Sequence, residues 1–408
     1  MEINKISIPE GWRKVSIGEC VVEKKKSPIK VDDAANFGLY PFFTSGEAVL
    51  QHDCKLIDGE NLYLATGGMA NVKYFNGEAA YSTDTYVLGI KENICPKFMY
   101  YVLLFLKQYI DINYFQGSGL KHLQKKDFKH HEIIIPESKD EQQRIADTLS
   151  KLDDSLSKTQ SLINKYELIK RGLMQDLLTF GIDSKGNKRS ENTHKFKDSP
   201  LGRIPEEWEW VELGKIIEKG KGVIQTGPFG SSLHANEYVS AGCAVIMPQD
   251  IMTNSIDWEN ISHITEDKKQ SLRKHIVRKK DLLFARRGDL SKCVVIEEGE
   301  NAICGTGCLL LRPNSAKINP YWLKDIYQQL KTQSQLLSMA VGTTMQNINA
   351  NILSNLSLAF PSLFEQNIIS AVIREQNDVI RRLEYDKRKY QQIKQGLLSD
   401  LITGKVRI

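Results

Sequence analysis

Apolar positions spaced by four and three residues run through the segment Glu141 to Thr179, at Ile145, Leu149, Leu152, Leu156, Thr159, Ile163, Tyr166, Lys170, Leu173 and Leu177. The spacing predicts one long helix with a coiled-coil stripe that polar residues interrupt at Thr159 and Lys170. Ser138 and the run Lys139-Asp140-Glu141 supply a cap and an acidic first turn. The same stripe returns between Glu365 and Thr403, through Ile369, Ile373, Gln376, Ile380, Leu383, Lys387, Tyr390, Lys394, Leu397 and Leu401. The copies align without a gap and match at about a third of their positions, Glu141/Glu365, Gln142/Gln366, Tyr166/Tyr390 and Lys170/Lys394 among them, which is too many for unrelated helices. Gly172 and Gly396 fall at equivalent places inside the pattern, where a glycine predicts a bend or a close backbone approach.

The remainder of the chain repeats as well. Ile8-Pro9-Glu10-Gly11-Trp12 is echoed by Ile204-Pro205-Glu206-Glu207-Trp208, and Asn61 to Ala65 by Asp281 to Ala285. Between Phe37 and Leu88, short apolar runs broken by Gly and Asn predict strands. Pro96 to Gln108 predicts a buried helix, with its counterpart opening at Pro320. Gly117 to Pro136 aligns without a gap onto Gly342 to Pro361, each a glycine-led polar loop, a short turn and a strand ending in Pro. The segment from Gly181 to Gly202 is polar, rich in Gly, Ser and Lys, and predicts a linker with almost no core residues.

A chain of the form domain, helix, domain, helix carries an internal pseudo-two-fold repeat, and pairing the two helices closes it. Each helix spans about 57 Å, so a parallel pair would stretch a linker of about 22 residues nearly to its limit, whereas an antiparallel pair needs no such return. Two similar domains on such a rod suggest a ruler that reads two short stretches of one duplex. The candidate reading residues are loop residues of the types that bond phosphates and base edges. In the first domain they are Thr44, Ser45, Thr66, Asn71, Lys73, Thr83, Lys121, His122 and Gln124. In the second they are Gln225, Ser231, Ser232, Gln249, Arg286, Arg287, Lys292, Gln346, Asn347 and Asn349.

Composition narrows this only slightly. The net charge of +5 over 408 residues is nearly balanced, so any basic surface must be local. The seven cysteines form no CxxC pair, which predicts reduced thiols in a cytoplasmic protein and no metal site. No run approaches the ~20 apolar residues of a membrane span. There is no GxxxxGK[ST] loop, HExxH, GxSxG or Asn/Asp-Pro-Pro-aromatic tetrapeptide, so no catalytic residues are assigned.

Taken in order, the IPEGW and IPEEW openings, Phe196 to Pro205, Gly227-Pro228-Phe229-Gly230-Ser231 with Glu237-Tyr238, Asp281 to Gly288, and the duplicated EQ-initiated helices ending in Gly-Leu-x-x-Asp-Leu form a specific set. With them the chain resembles, over essentially its full length, a specificity subunit of a type I restriction-modification system. Its first domain lacks the Gly-Pro-Phe-Gly signature and carries Tyr40 to Ser45 instead, so the two recognition domains belong to different subtypes. The resemblance implies an α+β chain with two similar α/β target recognition domains, residues 1–136 and 204–361. An antiparallel two-helix coiled coil, residues 137–180 and 362–408, separates them, and residues 181–203 form the linker. It implies a non-catalytic reader of double-stranded DNA, each domain reading one half of an asymmetric bipartite site while the helices fix the spacer. It further implies docking of two methyltransferase (modification) subunits, to which Tyr166, Lys170, Tyr390 and Lys394 are assigned, and of restriction/translocase subunits through them. S-adenosylmethionine, ATP and Mg are expected only on those partners. A scaffold that binds no DNA and a fused enzyme remain the alternatives; the duplicated polar loops argue against the first and the missing motifs against the second.

Overall fold

A computed structural model describes residues 8–35, 37–252, 255–297, 301–314, 316–340 and 347–408. The chain divides into two units, each assembled from segments distant in sequence: residues 1–162 with 383–408, and residues 163–382. Each unit therefore takes the start of one long helix and the end of the other.

In the first unit, a four-stranded antiparallel sheet has the order Val21–Glu23, Thr85–Ile90, Glu60–Ala65, Val72–Asn76. A second sheet sets Tyr40–Phe43 antiparallel to Val49–His52 and parallel to Ala80–Tyr81. The opening strand Trp12–Ser16 pairs with Glu132–Pro136, the strand that leads into the first long helix. Apolar residues of the larger sheet, such as Leu62, Leu64 and Leu88, pack with Phe98, Met99 and Val102 of the helix Pro96–Phe105. Ile145 and Leu149 of one long helix and Leu401 of the other complete that core. The helix predicted over 96–108 stops at Phe105, and a second one, Lys107–Tyr114, follows it.

The second unit repeats the plan. Its four-stranded sheet has the order Val223–Thr226, Cys308–Arg312, Leu282–Ala285, Cys293–Val295, and Glu209–Glu212 pairs with Ser357–Phe360. The smaller sheet is here also four-stranded but of shorter strands, and again has one parallel pair, Cys243–Ile246 with Ala302–Cys304. Leu177, Ile369 and Ile373 of the long helices join its core.

The long helices run Lys139–Leu177 and Leu363–Ile402, and the predicted stripe residues are buried or half-buried along both. In the first unit their sense is antiparallel: Asp153 meets Lys394 and Gln160 meets Lys387, one number rising as the other falls. The EQ dipeptide that opens each helix has a structural cause. Gln142 accepts from Cys95 N at 2.8 Å and donates to Pro136 O, while Gln366 accepts from Asn319 N at 2.8 Å and donates to Pro361 O. Each glutamine thus ties the long helix to the start of the shorter domain helix at Pro96 or Pro320. The close approach expected at Gly172 and Gly396 is not found; both helices continue unbroken, and a Cβ at either position would meet nothing within 4 Å.

The linker expectation is also corrected. Ile182 and Arg189 are buried, and Phe196–Lys197 pairs with Ile204–Pro205. Arg189 donates to both oxygens of Glu365, at 2.5 and 3.3 Å, and Trp208 Nε1 and Ile182 N donate to the same carboxylate. The first unit holds the counterpart: Glu141 accepts from Arg407 at 2.8 and 2.9 Å and from Trp12 Nε1 at 3.3 Å. Gly181 and Gly404, at φ of +66° and +69°, turn the chain into these two clusters. A Cβ at Gly181 would lie 2.1 Å from Glu365 Oε1, and one at Gly404 would lie 2.7 Å from Pro9, so no other residue fits either turn.

Candidate nucleic-acid interface

The first domain's candidate residues sit in loops that leave adjacent strands, and hydrogen bonds bind these loops into one rim. Asp84 O accepts from the hydroxyls of both Ser45 and Thr66, the latter at 2.6 Å, and Thr66 N donates to Ser45 Oγ at 3.1 Å. Lys73 Nζ donates to Thr44 O at 2.9 Å and also to Gly46 O, which Asn71 Nδ2 reaches at 2.9 Å. Gly68 N donates to Lys121 O, Leu123 N donates to Thr66 O, and a bridge joins Gly67 to His122. Thr83 N donates to Ile29 O at 2.7 Å.

The predicted set is therefore brought together, but its members differ in what they can do. Ser45, Thr66, Asn71 and Lys73 spend side-chain donors inside the rim, and burial pulls the pKa of Lys73 down. Thr44 is buried, its hydroxyl accepting from Gly46 N. Gln124 donates to His122 O and stands at the start of the helix Lys125–His130. These residues shape the rim, whereas Lys121 and His122 are exposed upon it.

Sequence reasoning missed the strap Lys24-Lys25-Lys26. Lys24 N donates to Val87 O, and Tyr81 donates its hydroxyl to Lys25 O at 2.8 Å, which fixes the strap against Tyr81 and the strand Thr85–Ile90 with all three lysines exposed. The run of like charge was the available signal, and the nearly neutral total hid it.

The second domain builds an equivalent rim. The bridge Arg287 to Asn347 repeats Gly67 to His122, and Asn349 stands where Gln124 does, before a short helix. Asn349 is a helix cap, its Oδ1 accepting from Ile352 N at 2.9 Å, which leaves its amide N–H groups as the donors it can offer a partner. Arg286 Nε donates to Asn347 Oδ1 at 3.1 Å, and its backbone joins Gly307 O and Ile348 N. Burial first, then the neighbouring charge of Arg287, lowers the Arg286 pKa. A guanidinium held by an amide beside a second, exposed one presents paired donors suited to phosphate or to guanine. Lys292 Nζ donates to Pro248 O at 3.1 Å, and Gln225 Nε2 donates to Lys274 O at 2.5 Å. Gln249, Ser231 and Ser232 are exposed, with Phe229 beside the serines. Gln346 lies outside the described residues.

The four helix residues assigned to docking are corrected in part. Lys394 is turned inward, its Nζ 2.5 Å from Asp153 Oδ1, while Asp153 Oδ2 accepts from Tyr101 at 2.7 Å. Lys170, its equivalent, is half-buried; burial lowers its pKa and Lys324 adds to that, against the opposing charge of Asp325. Both lysines serve the seam between helix and domain, because the stripe on which they lie is the inward face. Tyr166 and Tyr390 are half-buried on the same stripe. The exposed apolar residues of the helices are others: Leu162, Leu168, Ile169, Phe364, Tyr385 and Ile393.

Among the described residues no group of His, Cys, Asp and Glu has metal-ligand geometry, and no helix is long and apolar enough to cross a membrane. A family model described as "Type I restriction modification DNA specificity domain" matches residues 9–167 and 205–395. The specificity subunit of the type I restriction enzyme MjaVIII from Methanocaldococcus jannaschii is 24% identical over 100% of this chain and 96% of its own length. The EcoDI specificity subunit of Escherichia coli is 27% identical over 52% of this chain and 50% of its own. The crystal structure of the type I restriction-modification S subunit from M. genitalium superposes with a TM-score of 0.67 at 17% identity, covering 98% of this chain and 97% of that one. A chain from a study of complex assembly and conformational transition in the type I system gives a TM-score of 0.52 at 16% identity, over 98% of this chain and 100% of that one. At these identities the two structures establish the fold.

Proposed function

The chain belongs to the type I restriction-modification DNA specificity family, and from that premise we propose that its two rims read the two halves of one asymmetric bipartite site in double-stranded DNA. The observation that carries this is the duplication of one loop rim on two similar domains, with different side chains at equivalent places: Thr66, Gly67 and His122 on one stand where Arg286, Arg287 and Asn347 stand on the other. Equal architecture with unequal chemistry suits half-sites of unequal sequence.

The unbroken helices set the spacer between the half-sites, and their exposed apolar residues dock two modification subunits. Those subunits bring S-adenosylmethionine and methylate adenine; restriction subunits join through them and bring ATP and Mg. This chain contributes recognition in the cytoplasm and no catalysis. The test is to map methylated adenines in a strain that carries this chain, then to replace residues 204–361 with the equivalent domain of a relative. Two short motifs at a fixed gap, of which the exchange alters one, are the expected result. A continuous motif, or one indifferent to the exchange, overturns the reading.

A further inference from the structure

The two domains differ in nearly every rim side chain, yet one side-chain tie recurs. Ala65 N donates to Asn71 O at 3.0 Å, and Ala285 N donates to Lys292 O at 3.0 Å, so Asn71 and Lys292 occupy the same place just ahead of the edge strand of the larger sheet. Each then sends its side-chain nitrogen to a carbonyl in the loop that leaves the middle of the smaller sheet, Asn71 to Gly46 O at 2.9 Å and Lys292 to Pro248 O at 3.1 Å. The residue types share only an N–H donor. An amide in one domain and an ammonium in the other accomplish the same tie between two sheets, so charge is incidental at this position.

We infer that Asn71 and Lys292 are positioning residues for base discrimination: each fixes the distance between two loops of its rim and so holds the reading side chains in register, without contacting phosphate. In the first domain Lys73 reinforces the tie by donating to Thr44 O and Gly46 O. One of the three N–H donors of the Lys292 ammonium is spent on a carbonyl of its own rim, so its charge alone does not assign it to the phosphate-binding set. The inference rests on the reading that the rims contact DNA.

The test uses the full chain assembled with its modification subunits. Binding is measured between 50 and 200 mM salt, a range over which phosphate contacts change affinity by roughly 10³ to 10⁵. The probes are the cognate duplex, duplexes with one base pair changed in either half-site, and an unrelated duplex. Lys292→Met lowers discrimination in one half-site by about tenfold, Asn71→Leu does the same in the other half, and neither changes the salt slope or the affinity for the unrelated duplex. Lys292→Gln, which keeps a donor and drops the charge, retains the discrimination. A fall in salt slope of about one, with equal loss on every duplex, would make Lys292 a phosphate contact and overturn the inference. If wild type and variants discriminate equally, the positioning role falls alone; if the wild type does not discriminate, the DNA reading falls and takes it along.

Discussion

At the scale of single residues, the value of a charge in this protein is decided by what surrounds it. Arg189 and Glu365 are a nearly fully enclosed pair, with side chains 6% and 7% exposed, whereas Arg407, the partner of buried Glu141, is 47% exposed. Glu365→Gln leaves the buried guanidinium with only Glu207, 3.6 Å from its Nε, as counter-charge and is expected to cost about 3 kcal/mol. Glu141→Gln leaves Arg407 free to turn into solvent and is expected to cost about 1 kcal/mol. Urea denaturation of both variants checks the order, and equal losses would contradict it. Lys25 and Lys26 are exposed on the strap, where they can neutralise phosphates without giving up internal bonds, whereas the Lys24 side chain lies along Gly89. Changing both to Ala should reduce the salt slope of DNA binding by up to about two and weaken all sequences alike. A change confined to one half-site's sequence preference would show that they read bases instead.

At the scale of elements, the long helices are more than spacers, because their polar interruptions are built into the domains. Asp325, on the helix Pro320–Tyr327 and 3% exposed, illustrates the cost. Burial pushes its carboxyl up to about 6, against the pull of Lys324, Lys170 and Arg374. The unfolded chain releases that proton near the usual value of about 3.9. Between these two values the folded chain therefore holds more protons than the unfolded one, and this group's contribution to stability falls as pH rises from about 4 to 6. Asp325→Asn removes the dependence. Its stability relative to wild type should climb across that window by up to about 1.4 kcal/mol per pH unit and level off above it. Denaturation curves at pH 4.5, 5.5 and 7 measure this; a difference that does not vary with pH would place the charge elsewhere. In the first unit the equivalent layer is Tyr101, Asp153 and Lys394, where the ion pair is made across the two long helices.

At the scale of the whole molecule, the repeat makes the proposed spacer adjustable without touching the readers. Seven residues inserted into both long helices, at the facing positions Gln160 and Lys387, add about two turns and ~10 Å, or about three base pairs at 3.4 Å each. The methylated motif should keep both half-sites and gain that spacing. Altered half-sites with an unchanged gap would remove the helices from the ruler role.

Much of this was legible in the sequence because helix periodicity and duplication are local signals. The stripe from Ile145 to Leu177 lies on the buried face with nearly the predicted limits, and the loops that form the rims were found by their matching places in two copies. The segment 181–203 was read as linker for the same local reason: a polar stretch shows nothing of the single arginine it sends into the core. Lys73 and Asn349 were chosen by residue type and Lys394 as a charged interruption of the stripe, and neither signal shows whether a polar atom is already bound to a carbonyl, an aspartate or a helix end. By itself, then, the sequence determined the elements, the repeat and the faces that turn inward, since each follows from spacing within a few turns or strands. Only the tertiary structure decided which polar side chains remain available to a partner, because Arg189 and Glu365, Lys394 and Asp153, and Lys292 and Pro248 meet through folding across long stretches of chain, and no spacing rule carries that far.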